Sequence, residues 1–338
     1  MNYRLPFTFA FACLSSLSIA HAQTATTDPV GVMEFTVKGH GGNGSSALTF
    51  MSVPFIHDIE YSGAIDSVSA NTIIDNDASW SDDQFNDLYF IRITSGSNEG
   101  MSATITDTSA NQISTFEDLS TFASNGDTFT IRKYTTIGDV FGDNNESGLL
   151  AGASAGDADT ILIQDVENQS FFTYYFKNAG IGGTGWRSTT NGVDDQADTI
   201  IYPGSSFVIK RKVASDITLT VNGSVQTDNT TLPIEQNINF IASHYPTKPT
   251  LNKLFGSDGG PLDGGASTVD ADSVLVPNGS GGFITYYYKN SGIGGIGWRT
   301  TTNGLSQQGD TILTDVGGSV IVNRSQGGAL NLTETAPF

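Results

Sequence analysis

The chain has 338 residues, 38% of them hydrophobic, and a formal net charge of −20 from 15 basic and 35 acidic side chains. That balance leaves no basic footprint for a nucleic-acid backbone or an anionic lipid surface, and argues against both as partners. Its 39 glycines, with Thr, Ser, Asn and Asp crowding the gaps between short apolar runs, give the texture of turn-rich β structure, and no stretch sustains the apolar period of a long helix.

Residues 1–22 read as a secretory signal peptide: one early charge (Arg4), an apolar core from Leu5 to Ala20, and the small-residue exit Ala20-His21-Ala22, with cleavage before Gln23. A lipoprotein reading through Cys13 leaves too short an apolar core. Cys13 is the only cysteine, so the expected mature chain is a disulfide-free secreted, extracellular or cell-surface protein stabilised by packing or by bound ions. No later segment is long and apolar enough to span a membrane.

Two strand patterns come next, Val32 to Val37 and Leu48 to Val53, on either side of the turn His40-Gly41-Gly42-Asn43-Gly44. From Gly63 to Tyr134 the expected strands are Ala64–Val68, Thr72–Ile74, Tyr89–Thr94, Ser102–Thr106, Gln112–Ser114 and Thr128–Arg132, with one short helical turn capped by Ser81 ahead of Gln84. Short strands at this spacing suggest a small barrel.

At Thr136 a repeated unit begins. Phe171 to Gly192 reads FFTYYFKNAGIGGTGWRSTTNG and Phe283 to Gly304 reads FITYYYKNSGIGGIGWRTTTNG, identical at 17 of 22 positions with an offset of 112 residues. Such self-similarity marks a duplicated unit. Phe141-Gly142-Asp143 pairs with Phe255-Gly256-Ser257, Asp157 and Asp159 with Asp270 and Asp272, and Ser206 with Ser319. Leu219-Thr220-Val221 and Asn239-Phe240-Ile241 echo Phe35-Thr36-Val37 and Thr49-Phe50-Met51. The expected architecture is all-β: two homologous β-sandwich or open-barrel modules, 23–60 plus 135–213 and 214–338, with a small β-barrel, 61–134, inserted into the first at an exposed loop.

Alternation along a strand puts Phe172, Tyr174 and Phe176 on one face and Phe171, Thr173 and Tyr175 on the other; both faces carry aromatics, so both are expected to be at least half covered. Sheet packing accounts for this pattern. The alternative is a sugar-stacking platform in each repeat, with Tyr174, Trp186 and Arg187 in the first and Tyr286, Trp298 and Arg299 in the second as candidate ligand-binding residues. The glycines Gly180 to Gly185 and Gly292 to Gly297 lack the following helix and the Lys-Ser/Thr of a phosphate loop, and read as turns that need positive φ. Gly152-Ala153-Ser154-Ala155-Gly156 matches a nucleophile elbow in letters only, because an Asp-rich turn and a strand follow it. Paired carboxylates at strand entrances, Asp157 with Asp159 and Asp270 with Asp272, are candidate ligands for a structural Ca²⁺ against a background of ordinary turn chemistry. No cofactor is expected otherwise.

The residues DPVG at 28–31, LTFMSVPF at 48–55, the paired DADTILI and DADSVLV strands and the TYYF/TYYY…GWR blocks resemble a family of exported β-rich proteins occurring as many paralogues in Verrucomicrobia-type bacteria. Residues 64–133 separately resemble a small β-domain of phage-tail and bacterial surface proteins, through Ala78-Ser79-Trp80-Ser81-Asp82-Asp83-Gln84-Phe85 and Gly126-Asp127-Thr128-Phe129-Thr130-Ile131. Neither resemblance carries an assigned reaction, so no catalytic residue is implied; the second implies adhesion or scaffolding by analogy. The expected function is an exported structural or interaction protein of adhesion type without catalysis, partnered by a surface protein or an extracellular polysaccharide. The alternatives are a carbohydrate-binding protein with two equivalent aromatic sites and a polysaccharide hydrolase using paired Asp residues.

Overall fold

The computed structural model describes residues 29–40 and 46–337. The expected signal peptide, Cys13 and the glycine turn at 41–44 lie outside the described residues. The chain is all-β, built from antiparallel sheets with two α-helices of five residues each. Among the described residues no helix is long and apolar enough to cross a membrane.

Strand pairing repeats one plan. In the first unit a five-stranded sheet runs, in spatial order, Gly185–Ser188, Ser170–Lys177, Thr160–Asp165, Phe207–Arg211 and Ala47–Met51. In the second, the same order is Gly297–Thr300, Phe283–Lys289, Ser273–Pro277, Val320–Arg324 and Asn237–Ile241. A two-stranded ribbon covers each sheet, Val30–Val37 with Ile217–Ser224 and Thr230–Ile234 with Leu330–Glu334. The cores lie between these layers: Val37, Leu219 and Val221 meet Ile161, Trp186 and Phe207 in the first, and Ile234 and Leu332 meet Val274, Trp298 and Val322 in the second. The strand Ile217–Ser224, read above as an echo of Phe35-Thr36-Val37, is instead its partner, with Leu219 opposite Phe35. Strand pairing therefore carries the first unit on to Ser224. A short apolar strand cannot reveal from its letters whether it resembles a distant strand or pairs with it.

Residues 59–133 form a seven-stranded antiparallel sheet, whose order begins with Ile59–Ala64, Thr128–Lys133 and Tyr89–Ile93, continues through Ser102–Ser109, Gln112–Thr115 and Thr72–Ile74, and ends with Ser67–Ser69. The sheet does not close, which corrects the expected small barrel. It bends round one core, because Tyr61 and Val68 from its two edge strands pack on the same cluster as Ile91, Ile113 and Ile131. The run expected as one strand at Ala64–Val68 is broken between two edge strands at Ile65 and Asp66. Ser81 to Gln84 is a hydrogen-bonded turn rather than a helix, with the Ser81 N–H donating to Gln84 Oε1 at 3.1 Å.

The two five-stranded sheets meet through equivalent residues. Phe50 stacks on its counterpart Phe240 at 6.2 Å, and Ser206 bonds its counterpart Ser319 at 2.5 Å. Further contacts come in reciprocal pairs, while Gln164 and Gln169 bond the strand Asn237–Ile241 without a counterpart. Phe283 lies edge-on to Phe50 at 5.9 Å, and Phe171, its equivalent, edge-on to Phe240 at 5.2 Å. The Ser52 N–H donates to Gly317 O at 2.8 Å, and the Ala242 N–H to Gly204 O at 2.9 Å. Contacts in which i meets j and j meets i are the mark of an isologous interface, so the chain is folded as a dimer of its own halves about a pseudo-twofold axis.

Candidate functional site

Each repeated block is built outward from a two-turn scaffold. Thr136 and Thr250 cap the helices Ile137–Phe141 and Leu251–Phe255, and each helix ends on a glycine, Gly142 or Gly256, at φ 82° or 92°. That left-handed backbone is open to glycine. It leaves the glycine carbonyl to the indole: Trp186 Nε1 donates to Gly142 O at 2.8 Å, and Trp298 Nε1 to Gly256 O at 2.9 Å. The indoles are 0% and 1% exposed, and their ring faces are taken by Phe141 and Phe176 in the first unit and by Phe255 and Tyr288 in the second. Tyr174 and Tyr286 are buried in the same cores, and burial raises both phenol pKa values.

Arg187 and Arg299 are buried behind the glycine loops and point into them. Arg187 donates from Nη2 to Gly182 O at 2.6 Å and from Nη1 to Trp186 O at 2.6 Å. Arg299 donates to Gly294 O at 2.7 Å and to Trp298 O at 2.8 Å. Lys177 and Lys289 reinforce them from below, bonding Ile181 O and Ile293 O; Lys177 also bonds Gly192 O at 2.9 Å. The loop glycines are structural. A Cβ on Gly182 would lie 2.9 Å from Val193 Cα, at φ 91°, and one on Gly294 would lie 2.7 Å from Gly304 O, at φ 97°. All six residues proposed as sugar ligands thus belong to the core or to these internal clamps. The stacking platform expected at Trp186 and Trp298 is absent, because a buried ring offers no face to a sugar.

The paired aspartates divide their work in the same way in both units. Asp159 is buried, accepts the Leu150 and Lys212 N–H groups at 2.7 Å each, and pairs with Arg211 at 3.2 Å. Asp272 is buried, accepts from Asp263 N at 2.9 Å and Gln326 N at 3.1 Å, and pairs with Arg324. Asp157 and Asp270 turn outward and accept the hydroxyls of Ser154 and Ser267 at 2.8 and 3.2 Å. Each of the four aspartates assigned to Ca²⁺ is therefore engaged by N–H, O–H or guanidinium donors. Among the described residues no group of three His, Cys, Asp or Glu side chains is placed to hold a metal.

What the blocks present outward is apolar. Ile181 and Ile293, at the tips of the two clamped loops, are each 86% exposed, with Val193 beside the first and Ile296 and Leu305 beside the second also exposed. Both copies carry Gly-Ile-Gly-Gly, so the same exposed isoleucine stands at the tip of each loop. No family model, curated protein or solved structure matches this chain.

Proposed function

We propose that this chain is an exported, non-catalytic interaction protein that presents two equivalent rigid loops to a macromolecular partner at the cell surface. The observation that carries this reading is the pair of almost fully exposed isoleucines on loops whose carbonyls are tied down by buried Arg and Lys side chains. An apolar side chain held in fixed geometry loses little conformational freedom on binding, which favours recognition. The pseudo-twofold arrangement gives the chain two copies of the same loop, so one molecule can engage two points on a repetitive surface and gain avidity. The acidic surface suits solubility outside the cell.

The test is adsorption of fluorescently labelled protein to cells of the producing bacterium. Wild type should adsorb, Ile181→Ser or Ile293→Ser should weaken adsorption by the avidity factor, and the double variant should not adsorb. Equal adsorption by wild type and double variant overturns the reading.

A further inference from the structure

Most buried arginines of this chain are matched by oxygen acceptors. Arg211 and Arg324 meet aspartates, and Arg187 and Arg299 meet several carbonyls. Arg92 differs. It is 2% exposed, and among the described residues its only side-chain hydrogen bond runs from Nη1 to the neutral side-chain oxygen of Gln226. Its Nε is buried without an acceptor, as are those of Arg187, Arg211 and Arg299, so the missing carboxylate and the single neutral acceptor are what set it apart. Among the described residues no carboxylate lies within ion-pair distance of it, and Nη2 is the guanidinium nitrogen left for a ligand. Burial, and next the neighbouring Arg132 guanidinium, lower its pKa to about 10, so it stays charged at neutral pH. Asp228 acts on it only from beyond ion-pair distance, and the Phe90 ring lies 5.5 Å from its Cζ; a buried cation without a contacting carboxylate costs several kcal/mol unless an anion is supplied.

Arg92 lines a cleft of about 590 Å³ where the seven-stranded sheet meets both halves of the pseudo-dimer. This is within the size range of small-molecule sites, which favour domain junctions. Tyr134 from the sheet and Tyr202 from the first unit form an edge-on pair at 5.2 Å, and Leu232 and Pro233 line the opposite side from the second unit. Glu117 also lines the cleft, held by the Thr104 N–H at 2.7 Å. The Tyr134 hydroxyl lies 2.9 Å from Oγ1 of Thr104, the residue whose backbone N–H holds Glu117. Asp87 and His244 complete the ionisable lining, with His244 Nδ1 turned to Glu334 at 3.3 Å. A multiply charged anion would meet these carboxylates, whereas a single carboxylate with an apolar body would reach Arg92 and leave its body between the tyrosines and Leu232.

We propose that this cleft binds a small organic monocarboxylate, with the carboxylate on Arg92 and the apolar body against Tyr134, Tyr202 and Leu232. The full mature chain is titrated by ligand-observed NMR with para-fluorobenzoate and with hexanoate, beside their neutral alcohols. The acids should bind about tenfold or more tighter than the alcohols, the factor expected of one charge-assisted hydrogen bond. Arg92→Gln should remove that difference. Because Arg92 is buried and its variant can unfold, two exposed-side variants stand beside it: Tyr202→Ala, at a residue 50% exposed, should weaken both acids, and Glu117→Gln should tighten both. No binding of either acid, equal binding of acids and alcohols, or acid binding indifferent to Tyr202→Ala and Glu117→Gln, each overturns the proposal.

Discussion

Arg211 and Arg324 stand at equivalent places in the two five-stranded sheets, each against one buried aspartate, but only Arg324 has a second carboxylate, Asp263 at 3.2 Å. The helices differ in a similar way. Thr136 and Asp139 make a reciprocal capping box, while at the equivalent position to Asp139 the second helix carries Lys253 and keeps only the threonine cap. Arg187 has Asp195 at 3.1 Å, whereas the equivalent residue of the second unit is the uncharged Gln307, whose Nε2 donates to Ile296 O at 2.9 Å. The duplication thus retains the groups that would leave buried charges or carbonyls unpaired if lost, and lets partners at the rim drift, because an exposed partner contributes little. The largest difference is the route between sheet and helix: nine residues separate Ile241 from Leu251 in the second unit, where the first inserts a whole seven-stranded sheet between Met51 and Ile137.

Four experiments would break or sharpen that comparison. Trp186→Ala and Trp298→Ala each remove a fully buried indole and its bond to a glycine carbonyl, so each should destabilise its unit by about 3–5 kcal/mol in urea denaturation. Unequal losses would show that the two cores are not equivalent. Asp159→Asn should cost about 3–5 kcal/mol by stranding Arg211, and Asp272→Asn clearly less, since Asp263 remains beside Arg324; equal costs would remove Asp263 from the account. Acid should act on the first helix alone. Burial would raise the Asp139 pKa, but hydrogen bonds from His57 and Thr136 together with Lys133 outweigh it and hold the group at about 2. Its folded pKa lies below the unfolded value, so the stabilisation is full above the ordinary aspartate range and is lost as pH falls from there towards 2. Comparing denaturation at neutral and acid pH, Asp139→Asn should abolish on the order of 1–2 kcal/mol of that pH dependence, after discounting for solvent screening. The smallest effect is expected from Asp195→Gln, which makes the first loop resemble the second. With Asp195 itself half exposed it should cost about 0.2–1 kcal/mol, and leave loop exchange rates measured by amide hydrogen exchange nearly unchanged.

The sequence by itself determined the class and the repeat. Alternating apolar residues between glycine and Asx turns leave no other economical fold than sheets, and identity at equivalent positions fixed which strands would correspond. It also indicated that both faces of the aromatic strand would be at least half covered; Tyr174, Tyr175 and Phe176 are buried, while Phe171 and Phe172 at the strand's start are exposed. Other features depended on long-range pairing. Whether Ile217–Ser224 began the second unit or completed the first, whether the inserted sheet closed, and which way Trp186 and Trp298 faced were decided by partners distant in sequence, since a strand's letters give its period but not its neighbour. The chemistry followed the same rule. Arg187, Arg299, Asp159 and Asp272 look like ligands in a line of text, and only the fold showed their donors and acceptors facing one another. Arg92 stood in the sequence only as part of the strand motif Arg92-Ile93-Thr94-Ser95-Gly96, with nothing to mark a binding role, because its lack of a contacting carboxylate is a property of the three β units that close around it.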